Sequence, residues 1–132
     1  MTVIDSSGWV EMFIDGPRAG DFLGRLQAAE GVIVPTVVLY EVYKILYRET
    51  TVDQANLAAA RLRQYHRAPL DEHLALEAAD FSLQHGLPMS DAIIYATARA
   101  HDATLVTSDV HFAELPGVEY LPAAPSQDFP CL

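Results

Sequence analysis

Four acidic residues stand where carboxylates can meet around a metal ion: Asp5, Glu41, Asp91 and Asp109. Asp5 follows a short run of β-forming residues, Asp109 closes another such run, and Asp91 lies at the start of an Ala/Ile-rich helical segment. In an open α/β sheet, reactive groups collect beyond the carboxyl ends of the strands. Carboxylates that cluster there repel one another unless a cation neutralises them, and Mg²⁺ or Mn²⁺ suits oxygen ligands. The pattern predicts a site for one of these ions.

The stretch from residue 87 to 109 carries two of the four acids, one at each flank. Ser90 or Asp91 is expected to cap a helix that continues to about residue 102. A β-branched run at 104–106 then predicts a buried strand, and the polar triplet that follows it ends at Asp109. This segment therefore predicts a helix that opens with an acid and a strand that delivers one.

Each acid also has a purely structural interpretation. Asp91 can serve as a helix cap only, and Asp5 and Asp109 can simply form turns after strands. Glu41 projects from a largely apolar helix face and can pair with Lys44 three residues later, although such surface ion pairs are weak. The joint placement of the acids on a predicted parallel sheet is what favours a functional site.

Length and composition indicate one globular domain with a sizeable core. The chain has 132 residues, of which 51% are hydrophobic, and a formal charge of −10. Its mean hydropathy of +0.13 is high for so acidic a chain, so part of the apolar surface is expected to meet a partner or a second copy. No apolar run suggests a membrane span or signal peptide, which predicts a cytoplasmic protein. Cys131 is the one cysteine, which excludes an internal disulfide and disfavours thiol chemistry.

The charge balance limits how this chain can bind nucleic acid. With 18 acidic residues against 8 basic ones, binding by charge alone is disfavoured, whereas binding through divalent cations is not. Basic residues concentrate between Lys44 and Arg67, including Arg48, Arg61 and Arg63. They either complement a helix dipole, which is the favoured interpretation, or contact phosphate.

Strands alternate with helices along most of the chain. Strands are predicted at 2–4, 32–34, 68–70, 104–106 and 118–121. The first five helices are predicted from Ser6, at 19–29, at 37–48 with Thr36 as cap, from 52 or 53, and from 71 or 72 to 84 with Gly86 as cap. The sixth is the helix described above, which continues to about residue 102. Alternation of this kind predicts an α/β fold with helices on both faces of a short, mostly parallel sheet of four or five strands. Residues 1–121 are expected to form the domain and residues 122–132 an irregular, proline-containing tail.

Other chemistries find little support in the sequence. Neither GxxxxGK[ST] nor GxGxxG is present, which argues against the usual phosphate-cradling loops. The single lysine does not follow a late strand as a receiver domain requires, and the spacing around Asp5 does not suit a haloacid-dehalogenase-like phosphatase. None of the five histidines has metal-ligand spacing, although His111 lies near Asp109 and is a candidate substrate contact.

Four fragments together resemble the PIN domain family, and within it the toxin ribonucleases of VapBC-type toxin–antitoxin pairs. They are VIDSSGWVE, VPTVVLYEVYK, LPMSDAIIYATARAHDATLVTSD and HFAELPGVEYL, and they cover nearly the whole chain in order. The resemblance maps the family's metal-binding acids onto Asp5, Glu41, Asp91 and Asp109. Thr107 corresponds to the family's polar residue near the metal, with Ser6 as a further supporting polar residue. Ser108 departs from the basic or amide residue of many relatives.

The resemblance implies a three-layer α/β/α fold and a Mg²⁺- or Mn²⁺-dependent endoribonuclease. Asp5, Asp91 and Asp109 would hold the metal, while Glu41 would orient or deprotonate the attacking water. It further implies a homodimer and a VapB-like antitoxin that crosses apolar grooves. Candidate antitoxin contacts are Trp9, Phe13, Val38, Leu39 and Val42. The alternative is a PIN-like fold that has become a binding or scaffold module.

Overall fold

A five-stranded, all-parallel sheet forms the centre of the computed structural model, which describes residues 1–123. Its strands are β1 (Thr2–Ile4), β2 (Val32–Pro35), β3 (His66–Ala68), β4 (Thr104–Thr107) and β5 (Val118–Tyr120). They are arranged in the order β3-β2-β1-β4-β5, so β1 lies in the middle. The predicted α/β class and parallel sheet are confirmed, and the sheet has the larger of the two expected strand numbers.

Six α-helices flank this sheet and give the three-layer α/β/α arrangement. They are α1 (Ser6–Phe13), α2 (Ala19–Ala28), α3 (Thr36–Glu49), α4 (Val52–Leu62), α5 (Glu72–His85) and α6 (Met89–Ala100). A short 3₁₀ helix, Val110–Phe112, follows β4. The helices pack in neighbouring pairs, α1 with α2, α3 with α4 and α5 with α6. None of the helices within residues 1–123 is both long and apolar enough to cross a membrane.

The three central strands β1, β2 and β4 are short and largely apolar because helices cover both faces of the sheet there. Val3, Ile4, Ile33 and Leu105 are completely buried, and the β-branched residues among them suit an extended backbone. Val3 pairs with Leu105 on one side and with Ile33 on the other. The central strand therefore has no exposed face, and its carboxyl end opens directly onto the polar residues that follow.

The chain changes direction across β1, and this creates the crevice in which polar side chains collect. From β1 it proceeds outward through β2 to β3, then returns to the other side of β1 to add β4 and β5. Such a switch point leaves a crevice beyond the carboxyl ends of the two strands where the order reverses. Ile4 pairs with Val106 in the last register position of β1, so Asp5 and Thr107 come next at this edge.

Helix starts correct two expectations from the sequence. Thr36 is the first residue of α3 rather than its cap, because β2 continues to Pro35, which occupies the cap position. Pro88 takes the corresponding position before α6, so neither Ser90 nor Asp91 caps that helix. A proline has a fixed φ that is compatible with the turn into a helix, so the helix can begin immediately after it. The predicted C-cap of α5 is confirmed, since Gly86 is left-handed at φ 67°, and the helix starts at Glu72, one of the two predicted starts, with Asp71 as a cap that accepts from the Leu74 amide.

Smaller differences concern one strand and several apolar side chains. The third strand lies at His66–Ala68 instead of 68–70, because Pro69 has no amide hydrogen with which to extend the ladder. Trp9, Val38 and Val42 are buried in the core and are not surface contacts for a partner, whereas Phe13 and Leu39 are half-buried. The predicted tail begins at residue 122, and its residues 124–132 lie outside the described part of the chain.

Gly8 is required by the packing of α1 against β1 and α2. A Cβ at this position would lie 2.6 Å from Ile4 Cγ2 and 2.6 Å from Phe22 Cδ1, both in completely buried side chains. Gly8→Ala is therefore expected to lower the free energy of unfolding by about 1–3 kcal/mol, because the core has no space for another methyl group. Urea denaturation of both proteins measures this difference.

Gly24→Ala is the matched control, since Gly24 lies inside α2 and a Cβ there would have no neighbouring heavy atom within 4 Å. Alanine at this position is expected to raise the free energy of unfolding by about 0.5–1 kcal/mol, as in any open helix interior. Equal effects of the two substitutions would contradict the close packing at Gly8.

Candidate metal centre

Asp5 lies at the carboxyl end of β1 with a fully satisfied backbone amide. This amide donates to the Val106 carbonyl at 2.9 Å, which continues the β1–β4 ladder by one residue. The side chain does not cap α1, although Asp5 occupies the cap position. It accepts instead from the Thr107 hydroxyl at 2.8 Å and the Ser7 hydroxyl at 3.0 Å, both at Oδ2. These two bonds fix the carboxylate and leave Oδ1 out of both of them.

Thr107 links two of the acids from the end of β4. While its hydroxyl donates to Asp5, the same oxygen accepts from the Asp109 amide at 2.9 Å. The Ser108 amide donates to the Ser7 hydroxyl at 3.3 Å, so α1 and the β4 turn are joined a second time. Ser7 is therefore a supporting polar residue that sequence reasoning missed. Its position directly after Asp5 and Ser6 in the motif was the available signal.

Asp109 combines the structural role expected of a turn residue with a position in the acidic cluster. Its Oδ1 accepts from the His111 amide at 2.9 Å and so caps the 3₁₀ helix that starts at Val110. The structural interpretation is thus correct as far as it goes. The carboxylate is 18% exposed and lies beside the crevice, so capping does not remove it from the site.

Asp91 is buried in the first turn of α6 without capping that helix. The interpretation of Asp91 as a helix cap only is therefore wrong. Its Oδ2 lies 3.0 Å from Nδ1 of His111, and its side chain is 7% exposed. A carboxylate that is buried here is held toward the other acids and has little contact with water.

His111 is the residue whose importance at this site was underestimated from the sequence. Its Nδ1 lies 3.0 Å from Asp91 Oδ2 and 3.1 Å from Asp109 Oδ1. Ligand atoms of these three residues all lie within 4.8 Å of one another, the spacing expected around one metal ion. The side chain is about half exposed, so it can turn toward solvent or remain in the cluster. The signal in the sequence was its position two residues after Asp109.

Glu41 reaches the site from the buried face of α3. Its Oε1 accepts from the Ser6 hydroxyl at 2.6 Å, which joins α3 to the first turn of α1. The alternative interpretation of Glu41 as the partner of Lys44 in a surface ion pair is wrong, since Lys44 donates to the Tyr40 hydroxyl at 3.3 Å on the exposed face of the helix. Glu41 is 9% exposed, so its carboxylate belongs to the crevice rather than to the surface.

The structure brings all four acids into one electrostatic neighbourhood but not into one set of close ligands. Asp5 interacts with the charges of Glu41 and Asp109, and Asp91 interacts with those of Asp109 and Asp5. Within residues 1–123 the only close set of three ligand groups is that of Asp91, Asp109 and His111. Asp5 and Glu41 lie adjacent to this set and outside it.

The proton affinities of the site reflect burial of like charges. Burial raises the pKa of Asp5 to about 6, and the negative charges of Glu41 and Asp109 raise it further. The hydrogen bonds from the Thr107 and Ser7 hydroxyls act in the opposite direction and lower this pKa. Burial and then the charges of Asp109 and Asp5 raise the pKa of Asp91 to about 7, although His111 acts in the opposite direction. The Asp109 carboxylate in turn raises the pKa of His111.

This donor set fits a hard divalent cation. Carboxylate oxygens are the ligands that Mg²⁺ and Mn²⁺ prefer, and an added imidazole is compatible with Mn²⁺. Two buried carboxyls with raised pKa values would be stabilised in their charged forms by such an ion. The hydroxyls of Ser6, Ser7 and Thr107 orient the carboxylates, as groups behind metal ligands commonly do.

Solved structures with the same fold include toxins and their complexes. A chain of a toxin–antitoxin complex from Klebsiella pneumoniae is 22% identical, with a TM-score of 0.75 over 90% of this chain and 96% of that one. VapC20 of Mycobacterium tuberculosis, a toxin that cleaves the sarcin-ricin loop, is 21% identical, with a TM-score of 0.77 over 92% of this chain and 100% of that one. A chain of Rickettsia felis VapBC2, solved with a DNA fragment from the promoter, is 17% identical, with a TM-score of 0.70 over 90% of this chain and 97% of that one.

These likenesses establish the fold, and the sequence itself carries the family assignment. No curated protein sequence matches the chain. The family model of the PIN domain matches residues 2–118, which include all six α-helices and all four acids. The chain therefore belongs to the PIN domain family.

Proposed function

We propose that this protein is a Mg²⁺- or Mn²⁺-dependent endoribonuclease and the toxin of a type II toxin–antitoxin pair. The observation that carries the proposal is the burial of Asp91, its pKa raised to about 7, within ligand distance of Asp109 and His111. A buried cluster of like charges is costly unless a cation balances it. Its place at the switch point of a parallel sheet is where such folds bind ligands.

Each acid has a distinct role in the proposed reaction. Asp91 and Asp109, with Asp5 beside them, would hold the metal ion, which would supply positive charge to the scissile phosphate and lower the pKa of water. Glu41 accepts the proton of the attacking water, and Ser6 holds Glu41 in position through its hydrogen bond. Thr107 and Ser7 keep the Asp5 carboxylate fixed while the charge of the phosphate changes.

The proposed attack is in line with the bond that breaks. Water adds to phosphorus as its proton passes to Glu41, the bond between phosphorus and O3′ of the preceding nucleotide breaks, and the departing O3′ takes up a proton from solvent water. The products are a 5′-phosphate and a 3′-hydroxyl. His111 is half-exposed at this edge, where a bound cation would add the positive charge with which an acidic protein can accept the phosphate backbone.

A VapB-like antitoxin and a homodimer complete the proposal. Structural neighbours include the toxin–antitoxin complex from Klebsiella pneumoniae and the DNA-bound VapBC of Salmonella typhimurium. Exposed apolar side chains such as Leu57, Leu76 and Leu83 agree with contacts of this kind. The proposed site of action is the cytoplasm.

Asp91→Asn is expected to abolish Mn²⁺-dependent cleavage of RNA and the rise in melting temperature on adding Mn²⁺, because the amide removes a buried charged ligand. Cleavage of a labelled RNA and thermal unfolding measure the two effects. Asp80→Asn, an exposed change on α5, is the matched control and leaves both unchanged. Full activity of Asp91→Asn would contradict the metal assignment, and no cleavage by the unaltered protein would favour a binding module.

Glu41→Gln separates proton transfer from metal binding. The amide keeps the size of the side chain but cannot take a proton, so kcat is expected to fall by about 10²–10⁴-fold. The melting temperature should still rise with Mn²⁺, since the three closest ligand groups are intact. Glu77→Gln on α5 is the control for a generic loss of charge. Retention of kcat by Glu41→Gln would exclude Glu41 as the proton acceptor.

Stability of the metal-free protein is expected to fall as the pH rises from about 4 to about 7, between the ordinary pKa of an Asp carboxyl and the raised pKa values of Asp5 and Asp91. Asp5 and Asp91 have raised pKa values, so the folded protein holds protons that the unfolded chain has already lost. For Asp5, the rise of the pKa from 3.8 to about 6 corresponds to a loss of roughly 3 kcal/mol in the free energy of unfolding once the carboxyl is ionised in both states. His111 acts in the same direction, because its raised pKa stabilises the fold only while the ring is protonated.

Urea denaturation in EDTA and in Mn²⁺ tests this dependence. In EDTA, the free energy of unfolding of the unaltered protein should fall steeply with pH, and that of Asp91→Asn should fall less steeply. In Mn²⁺, the fall should also be reduced, because the ion neutralises the cluster. A free energy of unfolding that increases over this pH range in EDTA would contradict the carboxylate repulsion.

A further inference from the structure

A groove between α3 and α4 lies outside the acidic site and has a different chemistry. It encloses about 750 Å³ and is predominantly apolar. Its lining includes three of the six tyrosines of the chain and three cations: Tyr40, Tyr43, Tyr47, Lys44, Arg48 and Arg63. No acidic residue lines this groove, although the chain as a whole has a charge of −10.

Helix α3 presents this groove and the acidic site on two different faces. Residues 40, 43, 44 and 47 repeat at helical spacing and share one face. Glu41 follows Tyr40 by one position, about 100° around the helix, and is held from the buried side by Ser6. A ligand in the groove would therefore lie along the same helix that supplies a carboxylate to the proposed cleavage site.

The tyrosine rings are available for stacking. Tyr40 is 60% exposed and Tyr47 is 54% exposed, while the rings of Tyr43 and Tyr47 lie 5.8 Å apart at 57°. From residue 40 to residue 47 the helix rises by about 10 Å, which roughly three stacked nucleotides at 3.4 Å each also span. Exposed aromatic rings at such spacing are the usual platform for unpaired bases.

Cations surround these rings. The Lys44 ammonium lies 5.4 Å from the centre of the Tyr40 ring and donates to its hydroxyl, and Arg48 is paired with Glu49 at 2.8 Å. Glu49, the last residue of α3, therefore partly neutralises the positive charge of Arg48 at one end of the groove. Five of the eight basic residues of the chain lie between Lys44 and Arg67. In a protein this acidic, the groove is where a polyanion finds positive charge.

We infer that the α3–α4 groove binds the single-stranded RNA substrate, with its bases stacked on Tyr40 and Tyr47 and its phosphates near Lys44, Arg48 and Arg63. This inference rests on the proposed ribonuclease function and adds the part of the site that selects unpaired RNA. A second copy packed groove to groove fits less well, because Lys44 and Arg48 of each copy would face the same cations of the other, and no acid within residues 1–123 lines the groove. A peptide with acidic residues, such as a segment of the proposed antitoxin, is the remaining alternative that the experiment must separate, because Leu39, a candidate antitoxin contact, also lines the groove.

Binding of a short fluorescein-labelled oligouridylate in EDTA tests the inference without cleavage. Tyr40→Leu and Tyr47→Leu keep an apolar side chain but lose the ring, and each is expected to raise Kd at least about fivefold. Tyr40→Phe and Tyr47→Phe keep the ring and should bind like the unaltered protein. Duplex RNA of the same length should bind more weakly and be insensitive to the leucine variants, because its bases are not free to stack.

The cations are tested by the salt dependence of the same Kd. Lys44→Gln and Arg63→Gln should each lower the slope of log Kd against log salt by about 0.7, the value for one contact to single-stranded nucleic acid. Arg61→Gln is the matched control, since Arg61 lies near the same end of α4 but does not line the groove. An equal effect of all three would indicate general charge rather than this groove.

Cleavage kinetics in Mn²⁺ distinguish failure of the inference from failure of the proposed function. The leucine variants should raise KM and leave kcat nearly unchanged, since the acidic site is untouched. Unaltered KM and Kd in active enzyme would overturn the inference and leave the nuclease assignment intact. RNA binding that depends on the tyrosines, without any cleavage, would support the inference about the groove and overturn the nuclease assignment. A change in sedimentation or in binding of an acidic peptide, with RNA binding unaffected, would assign the groove to a protein contact.

Discussion

Repulsion among buried carboxylates is the constraint to which the rest of this structure answers. Asp5 and Asp91 both have pKa values raised by burial and by neighbouring acids. A fold tolerates such a cluster only where hydrogen bonds orient the charges and a cation can balance them. Three hydroxyls provide the first condition, and the ligand spacing of Asp91, Asp109 and His111 suits the second. The site therefore lowers the stability of the metal-free fold, and its ligand groups are spaced to suit a cation.

The sheet topology supplies the positions that this cluster needs. Strand β1 is central and buried, and β4 lies next to it after the direction of the strand order has reversed. Their carboxyl ends bring Asp5 beside Thr107, residues separated by nearly the whole domain in sequence. Helices α1, α3 and α6 then direct Ser6, Glu41 and Asp91 into the same crevice. Rigid elements hold each of these groups, as precise positioning of charge requires.

Helix α3 connects the chemistry of the site to the surface of the molecule. Its buried face places Glu41 in the crevice, and its exposed face carries tyrosines and cations along the groove with α4. Because one rigid helix carries both sets, a ligand bound along the groove has a defined position relative to the carboxylates. The acidic charge of the chain and its proposed polyanionic substrate are then compatible, since positive charge is concentrated where it is needed.

The sequence by itself determined the α/β class, the parallel sheet and the positions of the four acids, because apolar periodicity and strand-end polar residues are local signals. It also placed the start of α5 at residue 71 or 72 and its C-cap at Gly86, where the backbone preference of glycine is strong. Only the tertiary structure decided that Asp91 does not cap α6, that Lys44 turns away from Glu41, and that His111 lies between two acids. Those outcomes depend on contacts between residues distant in sequence or on opposite faces of a helix. A local sequence pattern cannot decide whether a residue such as Asp91 caps its helix or joins a cluster, because the members of that cluster come from five separate elements.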